Sequence, residues 1–196
     1  SGLTSTGATI LSSQDFVSIP RGLMFWRSFT QFIGGIGIIV FSIAILPLMG
    51  FGGVQLFRAE VAGPVADKLS PRIKQTAKLL WGIYIGLIIS QTVILMIEGV
   101  NFYDSITHSF ATMATAGFST HSESIAYFSP IVQYTIIIFM IIAASSFSLH
   151  FLAIRKGKIE YFKDREFNFY IFLLILFMFV FFADNYFKHL FNNGSF

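Results

Sequence analysis

Cysteine is absent from the 196 residues, and charged side chains make up only 12% of them. The first absence excludes a disulfide framework and thiolate metal sites. The second leaves a net charge of +3, and the few basic residues are not gathered into the patch that a nucleic-acid surface requires, so no nucleic-acid partner is expected. No signal peptide opens the chain and its first residue is Ser rather than Met, so a piece of a longer protein is expected. What fills the sequence instead is apolar: 55% of residues are hydrophobic and 25 are Phe, against roughly 45–50% apolar content in an ordinary soluble domain. Composition therefore indicates a membrane protein with the lipid bilayer as its solvent.

A helix needs about 20 apolar residues to cross the ~30 Å hydrocarbon layer. Four stretches qualify or nearly so: Met24–Met49, Leu79–Ile97, Ile131–Ile154 and Phe167–Ala183. A fifth, Phe102–Met113, is too short to cross. Orientation follows from the concentration of Lys and Arg in cytoplasmic loops. Arg58, Lys68, Arg72, Lys74 and Lys78 lie between the first and second spans; Arg155, Lys156, Lys158, Lys163 and Arg165 lie between the third and fourth. The stretch 99–128 carries no basic residue. Residue 1 is thus expected outside, with the chain crossing in, out, in and out.

Laid over itself at an offset of 110, the chain pairs Gly7 with Gly117, Thr9 with Ser119, Ser12 with Ser122 and Pro20 with Pro130. Repeated units are a frequent way of building membrane pathways. The second unit is complete: a span, a short helix over 102–113, a glycine-centred loop and a span. Asn101 reads as the N-cap of the short helix with Asp104 three residues on, and Tyr103, Ile106, Phe110 and Met113 recur at helical spacing. The first unit begins at the corresponding loop, TSTGAT, with its short helix missing. A helix that enters the membrane and stops leaves irregular backbone at depth, which survives only when buried in protein or lining a watery cavity.

Such loops suit a dehydrated cation. Backbone carbonyls replace its water, and glycine aims them at least conformational cost. The hydroxyls of Thr4, Ser5, Thr6 and Thr115 add ligands or tie the loop to its helix, and the short helix turns the negative end of its dipole toward the pathway. A phosphate loop needs a Gly-Lys-Ser/Thr run, and no lysine stands near Gly7. GGIGIIV at Gly34–Val40 lacks the third glycine of a dinucleotide fingerprint, so Gly34, Gly35 and Gly37 are expected to serve close helix packing. Ser145, Ser146 and Ser148 face a watery cavity or bond back into their own helix. His108, His121 and His150 lack metal-site spacing and read as interfacial or packing residues. Glu98 and Asp104 stand near the outer mouth, where carboxylates attract cations, although ordinary boundary residues are the plainer reading.

Six stretches together resemble the TrkH/KtrB potassium uptake family, of the superfamily of K⁺ transporters. They are SGLTSTGAT (Ser1–Thr9), FWRSFTQFIGGIGIIV (Phe25–Val40), AILPLMGFGGVQLFRAEVAGP (Ala44–Pro64), PRIKQTAKLLWGIY (Pro71–Tyr84), HSFATMATAGFSTH (His108–His121) and SLHF (Ser148–Phe151). The GGVQLFRAE segment is nearer the TrkH branch. The resemblance implies an all-α membrane protein built from repeated units of span, pore helix, filter loop and span around a pore, with only part of the four-repeat assembly present.

Carried over residue by residue, the first filter is Thr4, Ser5, Thr6 and Gly7, and the second is Ala114, Thr115, Ala116 and Gly117. The implied organisation is filter loop and second span of repeat 1 over 1–50, a cytoplasmic loop over 51–78, a complete repeat 2 over 79–153 with its filter at 114–118, a second cytoplasmic loop over 154–166, and the first span of repeat 3 over 167–196. The implied function is K⁺ uptake across the bacterial cytoplasmic (inner) membrane, with K⁺ as the transported ion, no covalent cofactor and no catalysis. Implied partners are cytosolic nucleotide-binding regulatory subunits of the TrkA type and a second copy of the full-length protein. The competing readings are a structural membrane segment and a histidine-based membrane enzyme; the latter needs histidines and carboxylates facing each other at one depth, which their spacing does not suggest.

Overall fold

The computed structural model describes residues 1–12, 14–44, 66–156 and 159–193. Among these every regular element is helical: α1 (Asp15–Ser18), α2 (Arg21–Ala44), α3 (Ala66–Ile97), α4 (Phe102–Met113), a 3₁₀ turn (Ser124–Tyr127), α5 (Pro130–Ala143), α6 (Phe147–Lys156), α7 (Ile159–Lys163) and α8 (Arg165–Asn193). Residues 45–49 of the expected first span, and 51–65 of the loop after it, lie outside the described residues.

Local chemistry sets the boundaries. The carbonyl of Pro20 accepts from the N–H groups of Leu23 and Met24 at 2.9 and 3.3 Å, opening α2. Helix α3 begins at Ala66, so the end of the expected loop 51–78 is itself helical. It closes at Gly99, whose φ of +92° lets its N–H reach Met96 O at 3.1 Å and the Val100 N–H reach Leu95 O at 3.0 Å. Asn101 then caps α4: its Oδ1 accepts from the Asp104 N–H at 3.0 Å, and its Nδ2 donates to Asp104 Oδ2 at 2.7 Å. The short helix runs over 102–113, as its cap and apolar spacing predict.

Among the described residues, two helices are long and apolar enough to cross a membrane, Lys78–Ile97 and Arg165–Asp184. The expected third span, Ile131–Ile154, is not one helix. It stops at Ala143 and a new helix starts at Phe147. Ser145 turns its hydroxyl back to Ile141 O at 3.0 Å, the self-bonding that bends or ends helices.

Residues 1–147 form one compact body and 148–196 another. In the first, α4 packs against α2, α3 and α5. Its core joins Ile36, Tyr84, Ile88, Phe110, Met113, Phe139 and Ala143. Phe110 is the hub, with ring centroids 4.8 Å from Phe32 and 6.0 Å from Phe25 and Phe29; each such pair adds about 0.5–1.5 kcal/mol beyond its area. The second body holds α7 against α8. There His150 Nδ1 lies 2.7 Å from Tyr161 Oη, and Asp164 Oδ1 accepts from the Phe167 N–H at 2.8 Å to cap α8.

Candidate functional site

The C-terminus of α4 and the start of the chain share one backbone pattern, 110 residues apart. At the end of α4 the Thr115 N–H donates to Thr112 O and the Ala116 N–H to Ala111 O, both at 3.0 Å. At the chain start Ser5 N–H donates to Gly2 O at 3.0 Å and Thr6 N–H to Ser1 O at 3.1 Å. This bond pair is the Schellman closure of a helix, which needs a left-handed residue one place past the cap. Ser5 and Thr115 fill that position, each with φ +52°. A residue with a Cβ costs about 1–2 kcal/mol there, and a β-branched Thr is a genuine outlier.

Two residues further on, Gly7 (φ +70°) and Gly117 (φ +88°) are left-handed again. Alternating backbone hand turns successive peptide planes the same way, carbonyls to one side and N–H groups to the other. Glycine at position 7 answers a second demand. A Cβ there would collide with the carbonyl oxygen of Ala116, with Gly117 N also within 4.0 Å. The Ala116 carbonyl therefore points at the place a side chain on Gly7 would occupy, and the two loops stand side by side. A Cβ on Gly117 would meet nothing within 4 Å.

Helix α2 supports both loops from behind. Gly34 lies against the main chain of Leu3, and Gly2 against the side chain of Thr30. A Cβ on Gly35 would come within 3.1 Å of Ala114 Cα and 2.6 Å of Tyr84 Oη. Gly34 thus seats a loop, Gly35 lies against both the second loop and helix α3 as close helix packing requires, and a Cβ on Gly37 would meet nothing within 4 Å among the described residues. The loop hydroxyls mostly tie the loops to themselves. Thr4 Oγ1 and Thr6 Oγ1 are 2.7 Å apart, and Thr115 Oγ1 donates to Ala114 O at 2.8 Å.

A set of struts holding the outer end of the second loop was not legible in sequence. Arg27 of α2 donates from Nη1 to Ser119 O at 3.3 Å and lays its guanidinium over the Phe118 ring at 3.7 Å, a cation–π contact. Asp104, only 6% exposed, accepts at Oδ1 from Thr120 Oγ1 (2.6 Å), and its Oδ2 lies 3.3 Å from His121 Nε2. Burial alone pushes its carboxyl toward the neutral form, but the donors Thr120, Asn101 and His121 outweigh this and hold its pKa below the ordinary value. His108 spans the same gap, with Nδ1 2.8 Å from Asp104 O and Nε2 3.0 Å from Ser119 Oγ.

Asp104 is thus an internal strut, not an exposed boundary residue. Contrary to the spacing-based expectation, His108, His121 and a carboxylate do come together, with the two imidazoles stacked at 6.5 Å. Both ring nitrogens of His108 are engaged in holding the loop. No group of three or more His, Cys, Asp or Glu suited to a metal occurs among the described residues. Glu98 Oε1 accepts from Thr135 Oγ1 at 2.6 Å, joining α3 to α5.

An all-helical chain with membrane-length apolar helices and a short helix ending in a glycine loop has the build of a membrane transport protein. The chain belongs to the TrkH family of cation transport proteins, which it matches over residues 1–191. It is 46% identical over 181 residues to the Trk system potassium uptake protein TrkH of Vibrio parahaemolyticus, covering 90% of this chain and 37% of that protein. To TrkH of Escherichia coli K12 it is 47% identical over 174 residues, covering 87% of this chain and 36% of that one. The crystal structure of the potassium transporter TrkH from Vibrio parahaemolyticus superposes with a TM-score of 0.74 at 39% identity, over 91% of this chain and 36% of that chain. The chain spans little more than a third of the length of these relatives.

Proposed function

We propose that the whole protein takes up K⁺ across the bacterial cytoplasmic membrane as a multi-pass, channel-like transporter, and that Thr4, Ser5, Thr6 and Gly7 with Ala114, Thr115, Ala116 and Gly117 form two strands of its selectivity filter. The observation carrying this is the repeated left-handed pair, Ser5 with Gly7 and Thr115 with Gly117, together with the close approach of the two loops at Gly7 and Ala116. Strain of this kind clusters where function over-determines the backbone. Carbonyls presented in a row replace the hydration shell of a cation without proton transfer or bond making, so K⁺ is cargo and no cofactor enters.

In this reading the domain limits follow the repeats. Residues 1–50 and 79–153 each contribute a filter loop and a following span, 167–196 begins a third repeat, and 51–78 and 154–166 lie in the cytoplasm. Cytosolic nucleotide-binding regulatory subunits of the TrkA type dock on that basic side, and the full-length protein pairs with a second copy. The test is uptake of K⁺ and Na⁺ by proteoliposomes holding the full-length protein or its Gly117→Ser variant. The K⁺ over Na⁺ ratio is expected to fall in the variant; an unchanged ratio contradicts the filter assignment.

A further inference from the structure

Gln31, near the middle of α2, is 0% exposed, and neither its Oε1 nor its Nε2 has a hydrogen-bond partner among the described residues. An uncompensated buried amide is costly, and an apolar side chain of the same shape would spare that cost. Its surroundings say what it faces. Side chains three and four apart share a helix face. Four residues before Gln31, Arg27 holds Ser119 O; three and four after it, Gly34 and Gly35 seat Leu3 and Ala114. Its neighbour Thr30 seats Gly2. The amide therefore lies on the face of α2 that both loops lean on, between the levels of Ala114 and Ser119, alongside Thr115–Gly117. Gln91, also fully buried and unpartnered among the described residues, stands about two helical turns along α3 from Tyr84.

The loops' alternating hand sends carbonyls to one side and N–H groups to the other. The N–H groups of Ser5, Thr6, Thr115 and Ala116 are taken up by the two closures; if carbonyls line the ion lane, those of Gly7 and Gly117 need acceptors behind. We propose that Gln31 is a specificity-determining positioning residue: its amide braces the backs of the two filter loops through a bridging water and holds their carbonyls at the spacing that favours K⁺ over Na⁺. This rests on the filter reading above.

The experiment uses full-length protein in proteoliposomes, measuring the K⁺ over Na⁺ uptake ratio alongside thermal stability in detergent. Gln31→Met keeps length and volume and removes both polar atoms. The ratio is expected to fall about tenfold, the equivalent of one hydrogen bond, with thermal stability unchanged or raised. Gln31→Asn, which keeps a shorter amide, is expected to restore part of the ratio. A selective wild type with an equally selective Gln31→Met variant overturns this proposal alone; a wild type that takes up both ions alike overturns the filter reading and this with it. Should Gln31→Met fail to fold, ¹⁵N-glutamine-labelled wild type decides. The Gln31 side-chain amide resonance is expected to move when K⁺ replaces Na⁺, and a resonance indifferent to the ion overturns the proposal.

Discussion

Replacing Gly7 with Ala tests the close approach of the two loops. Two costs add. At φ +70° an alanine in the left-handed region loses about 1–2 kcal/mol relative to the right-handed one. The new Cβ also lands on the Ala116 carbonyl oxygen, far inside the ~3.5 Å at which such atoms settle. That oxygen belongs to the main chain and cannot swing aside as a side chain does, so the second loop must shift, at the ~1–3 kcal/mol typical of overpacking. The sum is about 2–5 kcal/mol, a factor of roughly 30 or more in any equilibrium that requires both loops in place. Gly7→Ala in the full-length protein should therefore abolish K⁺-selective uptake in proteoliposomes and lower the melting temperature. Gly37→Ala is the control. Its Cβ meets nothing within 4 Å and its helical backbone accepts alanine, so stability should hold or rise by about 0.5–1 kcal/mol. Wild-type uptake and ion ratio in Gly7→Ala would refute the side-by-side arrangement.

Further expectations follow from the struts around α4. Asn101→Ala removes the N-cap bond to the Asp104 N–H and should cost about 1 kcal/mol by thermal or denaturant unfolding. Asp104→Asn weakens the bonds from Thr120 and His121 and should cost about 1–3 kcal/mol. The Asp104 carboxyl is held below its ordinary value, so its contribution is present above ~3.9 and lost as pH falls through the lowered folded value; a melting-temperature difference between wild type and Asp104→Asn that never shrinks as the pH is lowered would count against it. Arg27→Leu removes the bond to Ser119 O and the contact over Phe118; a stability loss of about 0.5–2 kcal/mol is expected, only partly recovered by Arg27→Lys, because a point charge cannot lay a flat face on the ring.

The short helix was legible to the residue because its start is written in Asn101 and Asp104 and its length in the spacing of apolar side chains. The pairing of Gly7 with Gly117 was legible because equal geometry at a fixed offset leaves equal residues. Other features left no such trace. Thr115 carries a β-branched side chain where its φ is positive, so residue type argues against the conformation it adopts. The break after Ala143 interrupts an apolar run that hydropathy reads straight through, with Ser145 and Ser146 as the only signal. Asp104 and His121 meet only because the chain reverses after the loop, a contact that depends on tertiary folding and not on spacing. The buried position of Gln31 was likewise hidden, since one polar residue in an amphipathic stretch reads as facing outward.

The central claim is that main-chain oxygens of the two loops take the place of a cation's water. Crystals of the full-length protein grown with Rb⁺, a heavier stand-in for K⁺, test it most directly by anomalous scattering. The account predicts an ion between the loops, within coordination distance of main-chain oxygens of both the Thr4–Gly7 and Ala114–Gly117 segments. Anomalous density confined elsewhere, with those segments bare under conditions that support transport, would contradict it.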